Sequence, residues 1–160
     1  MGTKPEPAMH TENRIEIRGD PRRIFQVAAR VERWPQILPH YRWVRVLQHK
    51  KRRTVVEMAA RRARLPVRWT AVQEVFPYDR ITYKHIKGIT TGMDVAWMFR
   101  PTQGGVQIVI THDFTLPWPV IGRLFSKYVV GSLFVRPIAA RTLRYIKRTV
   151  ESEQVGKGKT

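Results

Sequence analysis

The side chains of this 160-residue chain that could move protons are five histidines, His10, His40, His49, His85 and His112, together with a few tyrosines. None of the histidines stands at a metal-ligand spacing with carboxylates. The chain has no cysteine, which excludes disulfide frameworks, thiolate nucleophiles, zinc ribbons and iron–sulfur ligation, and fits a reducing cytoplasm. Its serines are Ser126, Ser132 and Ser152, and no Gly-x-Ser-x-Gly elbow surrounds any of them. Gly156-Lys157-Gly158-Lys159-Thr160 resembles the close of a phosphate-binding loop, but the earlier glycine of that motif would fall at Glu153. No dinucleotide fingerprint follows the first strand. Neither a cofactor nor a metal is expected. What is left is hydrogen-bonding chemistry from Tyr41, Gln73, Tyr83, His85, His112 and Thr142, each set among apolar residues.

Those groups must be positioned by a packed globule. Hydrophobic residues make up 42% of the chain and charged residues 26%, so wholesale disorder and a multi-span membrane protein are both excluded. The charge is lopsided. Thirty Lys and Arg against 12 Asp and Glu give +18, which suits polyanions, whether nucleic acid, anionic lipid or an acidic protein, and equally a well-solvated surface.

Period-two alternation begins at Asn13, with Ile15 and Ile17 on one side, and predicts a strand to Arg18. Asp20-Pro21 then reads as a helix cap followed by proline at the first helical position, with Ile24, Phe25, Val27 and Ala28 as the apolar stripe. Trp34, Ile37 and Leu38, in a run broken by Pro35 and closed by Pro39, predict a second short helix or turn. From His40 onward the alternation predicts six strands, about 40–49, 53–63, 67–76, 80–87, 93–101 and 106–116. The turns between them fall at Lys50-Lys51, around Leu65-Pro66, at Pro77-Tyr78-Asp79, from Gly88 to Gly92 and at Gly104-Gly105. Helical spacing returns from Pro119 to about Glu151, regular over Ala139 to Val150 and interrupted earlier by Gly122, Gly131 and Pro137. Residues 1–12 are expected to be a disordered tail, 13–151 a single domain and 152–160 a charged tail. The fold class is α+β: seven antiparallel strands curved around one long helix, with a hollow where the two cannot meet.

Strand parity orients the side chains. Arg68 and Glu74 mark the outer side of their strand, so Val67, Trp69, Ala71, Gln73 and Val75 face inward. In the last strand Gln107, Thr111 and Asp113 face out, which leaves Ile108, Ile110, His112 and Phe114 inside. Met93, Val95, Trp97 and Phe99 form the heavier, inward row of theirs. The candidate ligand wall is Trp34, Trp69, Met93, Val95, Trp97, Ile108 and Ile110, with polar tips from Tyr41, Gln73, Tyr83, His85, His112 and Thr142. A wall of that kind suits an oily ligand oriented by one or two hydrogen bonds. An inward histidine also serves as a satisfied core side chain, and large indoles as simple packing.

The run from Asp20-Pro21-Arg22-Arg23-Ile24-Phe25 to Val31-Glu32-Arg33-Trp34-Pro35-Gln36-Ile37-Leu38-Pro39 resembles the start of the polyketide cyclase/dehydrase branch of the START-like (SRPBCC, Bet v 1-like) superfamily. The likeness continues through Trp97-Met98-Phe99-Arg100-Pro101-Thr102-Gln103-Gly104-Gly105 and Thr111-His112-Asp113-Phe114. It spans nearly all of 13–150, and it is shared with lipid carriers and coenzyme Q-binding START-domain proteins. The resemblance implies a helix-grip fold. It also places Tyr41 where aromatase/cyclases carry a tyrosine implicated in cyclisation, which makes Tyr41 and His112 the candidate catalytic residues. The cyclases place arginine and serine inside the sheet, whereas the corresponding strand here offers Gln73 and Val75. That departure counts against authentic cyclase chemistry, and Arg100 points outward by parity.

Three functions are therefore expected in turn. The first is an internal site for a hydrophobic or aromatic small molecule, polyketide-like, lipid or quinone, with cofactor-independent cyclase chemistry as an extension. The second is a non-catalytic carrier in the cytoplasm that docks on anionic membranes through Leu116-Pro117-Trp118-Pro119-Val120-Ile121 and the run to Val135, with Arg123, Lys127 and Arg136 interspersed. The plainer reading of that segment is a cap over the cavity mouth. The third is RNA or ribosome association, which a related START-like branch implies, through Arg42, Arg45, His49 to Arg53, Arg61, Arg62, Arg64 and Arg68. No RNA-binding signature accompanies this cluster, and nucleic acid ranks last as a partner.

Overall fold

The computed structural model describes residues 9–114 and 134–158. The first strand, β1 (Met9–Arg18), leads into helix α1 (Pro21–Ala29), a single 3-10 turn at Val31–Arg33 and the short helix α2 (Trp34–Ile37). Six strands follow: β2 (Tyr41–Lys50), β3 (Arg53–Arg62), β4 (Leu65–Phe76), β5 (Arg80–Gly88), β6 (Asp94–Thr102) and β7 (Gly105–Phe114). Helix α3 (Arg136–Lys157) completes the order. All seven strands form one antiparallel sheet in the order β1-β7-β6-β5-β4-β3-β2. This is the helix-grip architecture.

Local chemistry explains each element. Asp20 caps α1 by accepting a 3.0 Å hydrogen bond from the Arg22 amide, and Pro21 occupies a position whose missing N–H has no helical partner anyway. Ile24, Phe25, Val27 and Ala28 then bury one face of α1. On α3 the buried set is Ala139, Thr142, Leu143, Ile146 and Val150, a stripe at three- and four-residue spacing laid into the concave side of the sheet. The strands curve because they are not regular: the pairing of β2 with β3 shifts at Arg42 and Leu47, and that of β4 with β5 at Ile86. Each extra residue bends its strand and is left outside the ladder, which is why Leu47 and Ile86 are exposed although apolar.

Three boundaries differ from the sequence reading. Strand β1 starts at Met9 rather than Asn13, pairing residue by residue with β7 as far as Met9 opposite Phe114. Leu65 and Pro66 lie within β4, opposite Arg62 and Arg61, and the reversal is made by Ala63 at φ 52° and Arg64. Pro66 sits near the strand's beginning, where a missing donor is tolerated. Helix α3 continues past Glu151 to Lys157, because the charged residues that resemble a tail are anchors. Arg23 donates two hydrogen bonds to Glu153, at 2.7 and 2.9 Å, Glu151 accepts from the Arg18 amide, and Gln154 donates to the Arg18 carbonyl. The expected helical half before Phe134, and most of the segment 116–135, lie outside the described residues.

Close approach of β1 to the start of β7 requires glycine. A Cβ on Gly105 would overlap the backbone carbonyl of Ile17, while at Gly104 a Cβ would meet nothing within 4 Å. Gly105→Ala is expected to lower the unfolding free energy by about 2 kcal/mol or more, as overpacking against backbone does. Gly104→Ala should leave it within about 0.5 kcal/mol. Urea denaturation of the pair measures this, and equal stability of the two variants would contradict the pairing of Arg18 with Gly105.

Candidate functional site

The site grows from three surfaces meeting under α3. Alternation brings Met58 of β3, Val67 and Trp69 of β4, Tyr83 and His85 of β5, Val95 and Trp97 of β6, and Ile110 and His112 of β7 to the concave side. Trp34 enters from α2 and Tyr41 from the first residue of β2. Ile138, Ala139 and Thr142 descend from α3. Together they surround a hollow with about 80 Å³ for the centres of water-sized molecules, inside an envelope of about 620 Å³ that continues to its mouth. On the first measure it is narrower than an engineered apolar cavity of about 150 Å³ that takes benzene. A ring-sized ligand must therefore displace side chains, and Met58 and Met93, unbranched and flexible, are the ones on the wall best able to move.

Aromatic rings form a belt around the hollow. Trp97 lies 5.6 Å from Trp34, Trp34 meets Tyr41 edge-to-face at 5.1 Å, Tyr41 meets Trp69 at 6.1 Å, and Trp69 stacks in parallel on His85 at 5.8 Å. Trp34 is held by its indole N–H, which donates to the Val27 carbonyl at 3.3 Å, so α1 fixes the ring that α2 supplies. Polar tips are spaced along this belt. His85 Nδ1 and Thr90 Oγ1 are 2.6 Å apart, and Gln73 donates to the Tyr83 hydroxyl at 3.1 Å. His112 is 8% exposed, and its Nδ1 has no hydrogen-bond partner.

Burial decides the protonation of every one of these groups. It pushes the His112 imidazole down to about 3, with His85 and His10 adding to the shift and Asp113 opposing it. His85 is pushed down to about 4 by burial and by Lys84. Burial likewise holds the Tyr41 and Tyr83 phenols well above their ordinary range, against the hydroxyl of Thr142 and the amide of Gln73 respectively. At neutral pH the hollow therefore contains neutral imidazoles and protonated phenols. It can donate and accept hydrogen bonds but holds no fixed charge against an enolate.

Eleven expected ligand residues, Trp34, Tyr41, Trp69, Tyr83, His85, Met93, Val95, Trp97, Ile110, His112 and Thr142, line the hollow. Two do not. Gln73 faces inward, but its amide is consumed by the Ala29 carbonyl and the Tyr83 hydroxyl, so it ties α1 to the sheet. Ile108 is also inward and fully buried, opposite Ile15 and Phe99, where Phe25 of α1 packs on Phe99 at 4.8 Å and fills the space. Sequence reasoning missed Met58, Thr90, Phe134, Val135, Ile138 and Ala139 as wall residues, and Val67, which parity already turns inward, joins them there. For Met58 the signal was present in the alternation of Thr54, Val56, Met58 and Ala60. For Thr90, within the β5–β6 turn, there was none.

The basic cluster of β2 to β4 does come together on neighbouring strands, but acids are interleaved with it: Arg53 pairs with Glu74 at 3.8 Å and Arg68 with Glu57 at 3.6 Å. Among the described residues no group of His, Asp and Glu could hold a metal ion, and no helix is long and apolar enough to cross a membrane.

Comparison with known proteins bears on this geometry. A search of curated proteins found no relative. Solved structures share the fold: that of TTHA0849 from Thermus thermophilus is 21% identical with a TM-score of 0.76, covering 90% of this chain and 98% of its own. The Zhui aromatase/cyclase from Streptomyces sp. R1128 is 19% identical with a TM-score of 0.78, covering 89% and 93%. A START superfamily protein from Mycobacterium smegmatis is 14% identical with a TM-score of 0.69, covering 89% and 97%. The profile of one family matches residues 17–129, from the inner residue Ile17 of β1 to within the segment before α3. With its seven strands closing over α3, this chain belongs to the polyketide cyclase/dehydrase and lipid transport family.

Proposed function

We propose that the protein binds a hydrophobic, ring-bearing small molecule, polyketide-like, lipid or quinone, in the hollow beneath α3. The observation that carries this reading is the wall itself: a belt of aromatic rings interrupted by neutral hydrogen-bonding groups, enclosed by a sheet whose remaining interior is packed. Affinity comes mainly from apolar area removed from water, at roughly 25 cal/mol per Å², and orientation from the Tyr41 hydroxyl and the His112 ring. The family's cyclase chemistry supports a second reading, in which Tyr41 is a hydrogen-bond donor to a carbonyl that becomes an enol. A phenol held above its usual range stays protonated and suits that role, whereas imidazoles pushed down to about 4 and 3 are weak bases. Binding without turnover is the reading that the uncharged interior favours.

Quenching of tryptophan fluorescence by naphthalene and 1-naphthol tests the site, because Trp34, Trp69 and Trp97 all line it. Ala139→Phe, which places a ring in the hollow, is expected to abolish the response to both compounds. Tyr41→Phe should weaken 1-naphthol by about tenfold, the worth of one buried hydrogen bond, and leave naphthalene unchanged. Undiminished binding to a folded Ala139→Phe protein would place the ligand elsewhere.

The neutral imidazoles also make stability depend on pH. Their folded-state pKa values lie below the unfolded value of 6.5, so the unfolded chain takes up protons first as the solution is acidified. The stabilisation is complete above about pH 6.5 and is lost as pH falls toward 4. Unfolding free energy at pH 4.5 is expected to lie about 2–3 kcal/mol per buried histidine below its value at pH 7. Urea midpoints across that range measure it, and a flat profile between pH 7 and 5 would mean that His85 and His112 are solvated.

A further inference from the structure

At the end of the sheet where β4 begins and β5 ends, the hollow meets a second cleft of about 250 Å³. Val67, Thr90 and Phe134 line both spaces, and Pro66, Arg68 and Ile89 complete the outer one. The rim carries apolar side chains that folding has not covered. Leu65 is 58% exposed and Ile89 56%, and Ile86, three residues before Ile89, is 41% exposed. Single exposed apolar residues are ordinary on any protein, but these border one opening.

Ile89 is held outward by a tightly bonded turn. Gly88 has φ 103°, and a Cβ there would come within 2.5 Å of the Arg68 carbonyl oxygen, so the turn between β5 and β6 lies directly on β4. Within it the Thr91 amide and hydroxyl donate to the Gly88 carbonyl at 3.1 and 2.6 Å, and the Met93 amide donates to the Thr90 carbonyl at 3.0 Å. Thr90 Oγ1 lies 2.6 Å from His85 Nδ1. With Thr90 drawn in against His85, its neighbour Ile89 is left in solvent on a braced support.

Cations flank these side chains. Arg64 precedes Leu65, Lys87 follows Ile86, and Arg136 stands two residues after Phe134 at the start of α3; all three are exposed. Asp94 and Asp113, at the same end, face each other across β6 and β7 and bond to Lys84 and His10. Positive charge alone would suit any polyanion, but a polyanion in water gains nothing from leucine and isoleucine set among the cations. A bilayer with anionic headgroups accepts both, taking the apolar tips at the acyl boundary and the cations at the headgroups.

We propose that this rim docks on an anionic lipid surface, with the mouth of the hollow turned toward the bilayer. The docking stands on the rim alone; passage of an apolar ligand between bilayer and hollow rests on the function proposed above.

Cosedimentation in low-salt buffer with vesicles of phosphatidylcholine containing about 30% phosphatidylserine tests the docking, with phosphatidylcholine vesicles as the reference. Binding to the anionic vesicles is expected, and to the reference vesicles about tenfold less. Leu65→Ser/Ile89→Ser should weaken the anionic binding about tenfold, and Arg64→Gln/Lys87→Gln by about the same factor. Val46→Ser/Leu47→Ser, which removes exposed apolar residues from β2, should leave it unchanged. Binding that falls with the cations but ignores the loss of Leu65 and Ile89 marks a plain polyanion surface, suited to nucleic acid or an acidic protein, and overturns lipid docking. Failure of the unmodified protein to sediment with the anionic vesicles overturns it too, as does equal weakening in the rim and β2 variants. Fluorescence quenching by naphthalene in the same proteins keeps the two readings apart. Rim-dependent vesicle binding without quenching supports the docking surface and removes the hollow as a ligand site, whereas quenching without vesicle binding supports the hollow and removes the docking.

Discussion

Strands β1 and β2 are consecutive in the chain yet form opposite edges of the sheet, and this separation governs the rest of the molecule. Six steps of about 4.8 Å would put those edges roughly 29 Å apart in a flat sheet. Residues 19–40 must cross that span while also closing one end of the curve. They do so as a capped helix, a 3-10 turn and a helix of one turn, which keeps Phe25 and Trp34 pointing at the sheet throughout the crossing. The two rings have different consequences. Phe25 packs on Phe99 and fills its half of the concavity, whereas Trp34 stands at the border of the half that stays open. The hollow is thus the remainder of a crossing that covers only part of a seven-stranded surface.

In a chain at +18 the buried histidines His85 and His112 are nevertheless neutral. Desolvation is the largest cause, because protonating a buried imidazole in an apolar wall costs more than the solution at neutral pH can supply, and neighbouring positive groups add to it. The consequence is chemical: the hollow offers a shape and neutral hydrogen-bonding groups, and no fixed charge. The two sides of the His40–Thr142 contact differ in kind, with rings on one and guanidinium groups on the other.

The strands were legible because burial on one face writes period two directly into residue type, and the paired turns supplied their ends. Legibility failed where polar residues do structural work. Thr11 is buried at 3%, so the first part of β1 reads as a polar tail even though its backbone pairs fully with β7. Glu151, Glu153 and Gln154 look like solvated helix-end residues, and their partners, Arg18 and Arg23, lie more than a hundred positions away. Gln73 shows the same limit inside the site. Parity put it on the correct face, but only the position of the Ala29 carbonyl reveals that its amide is already spoken for.

Charge pairing sharpens the contrast between the two sides of the molecule. On β3 and β4, Glu57 and Glu74 pair with Arg68 and Arg53 across the ladder, each pair worth little in water. Arg61 stands opposite Pro66 and Arg62 opposite Leu65, and α3 presents Arg141 and Arg144 to the same space. The space between them is bounded on its inner side by His40, whose ring the Thr142 hydroxyl ties to α3.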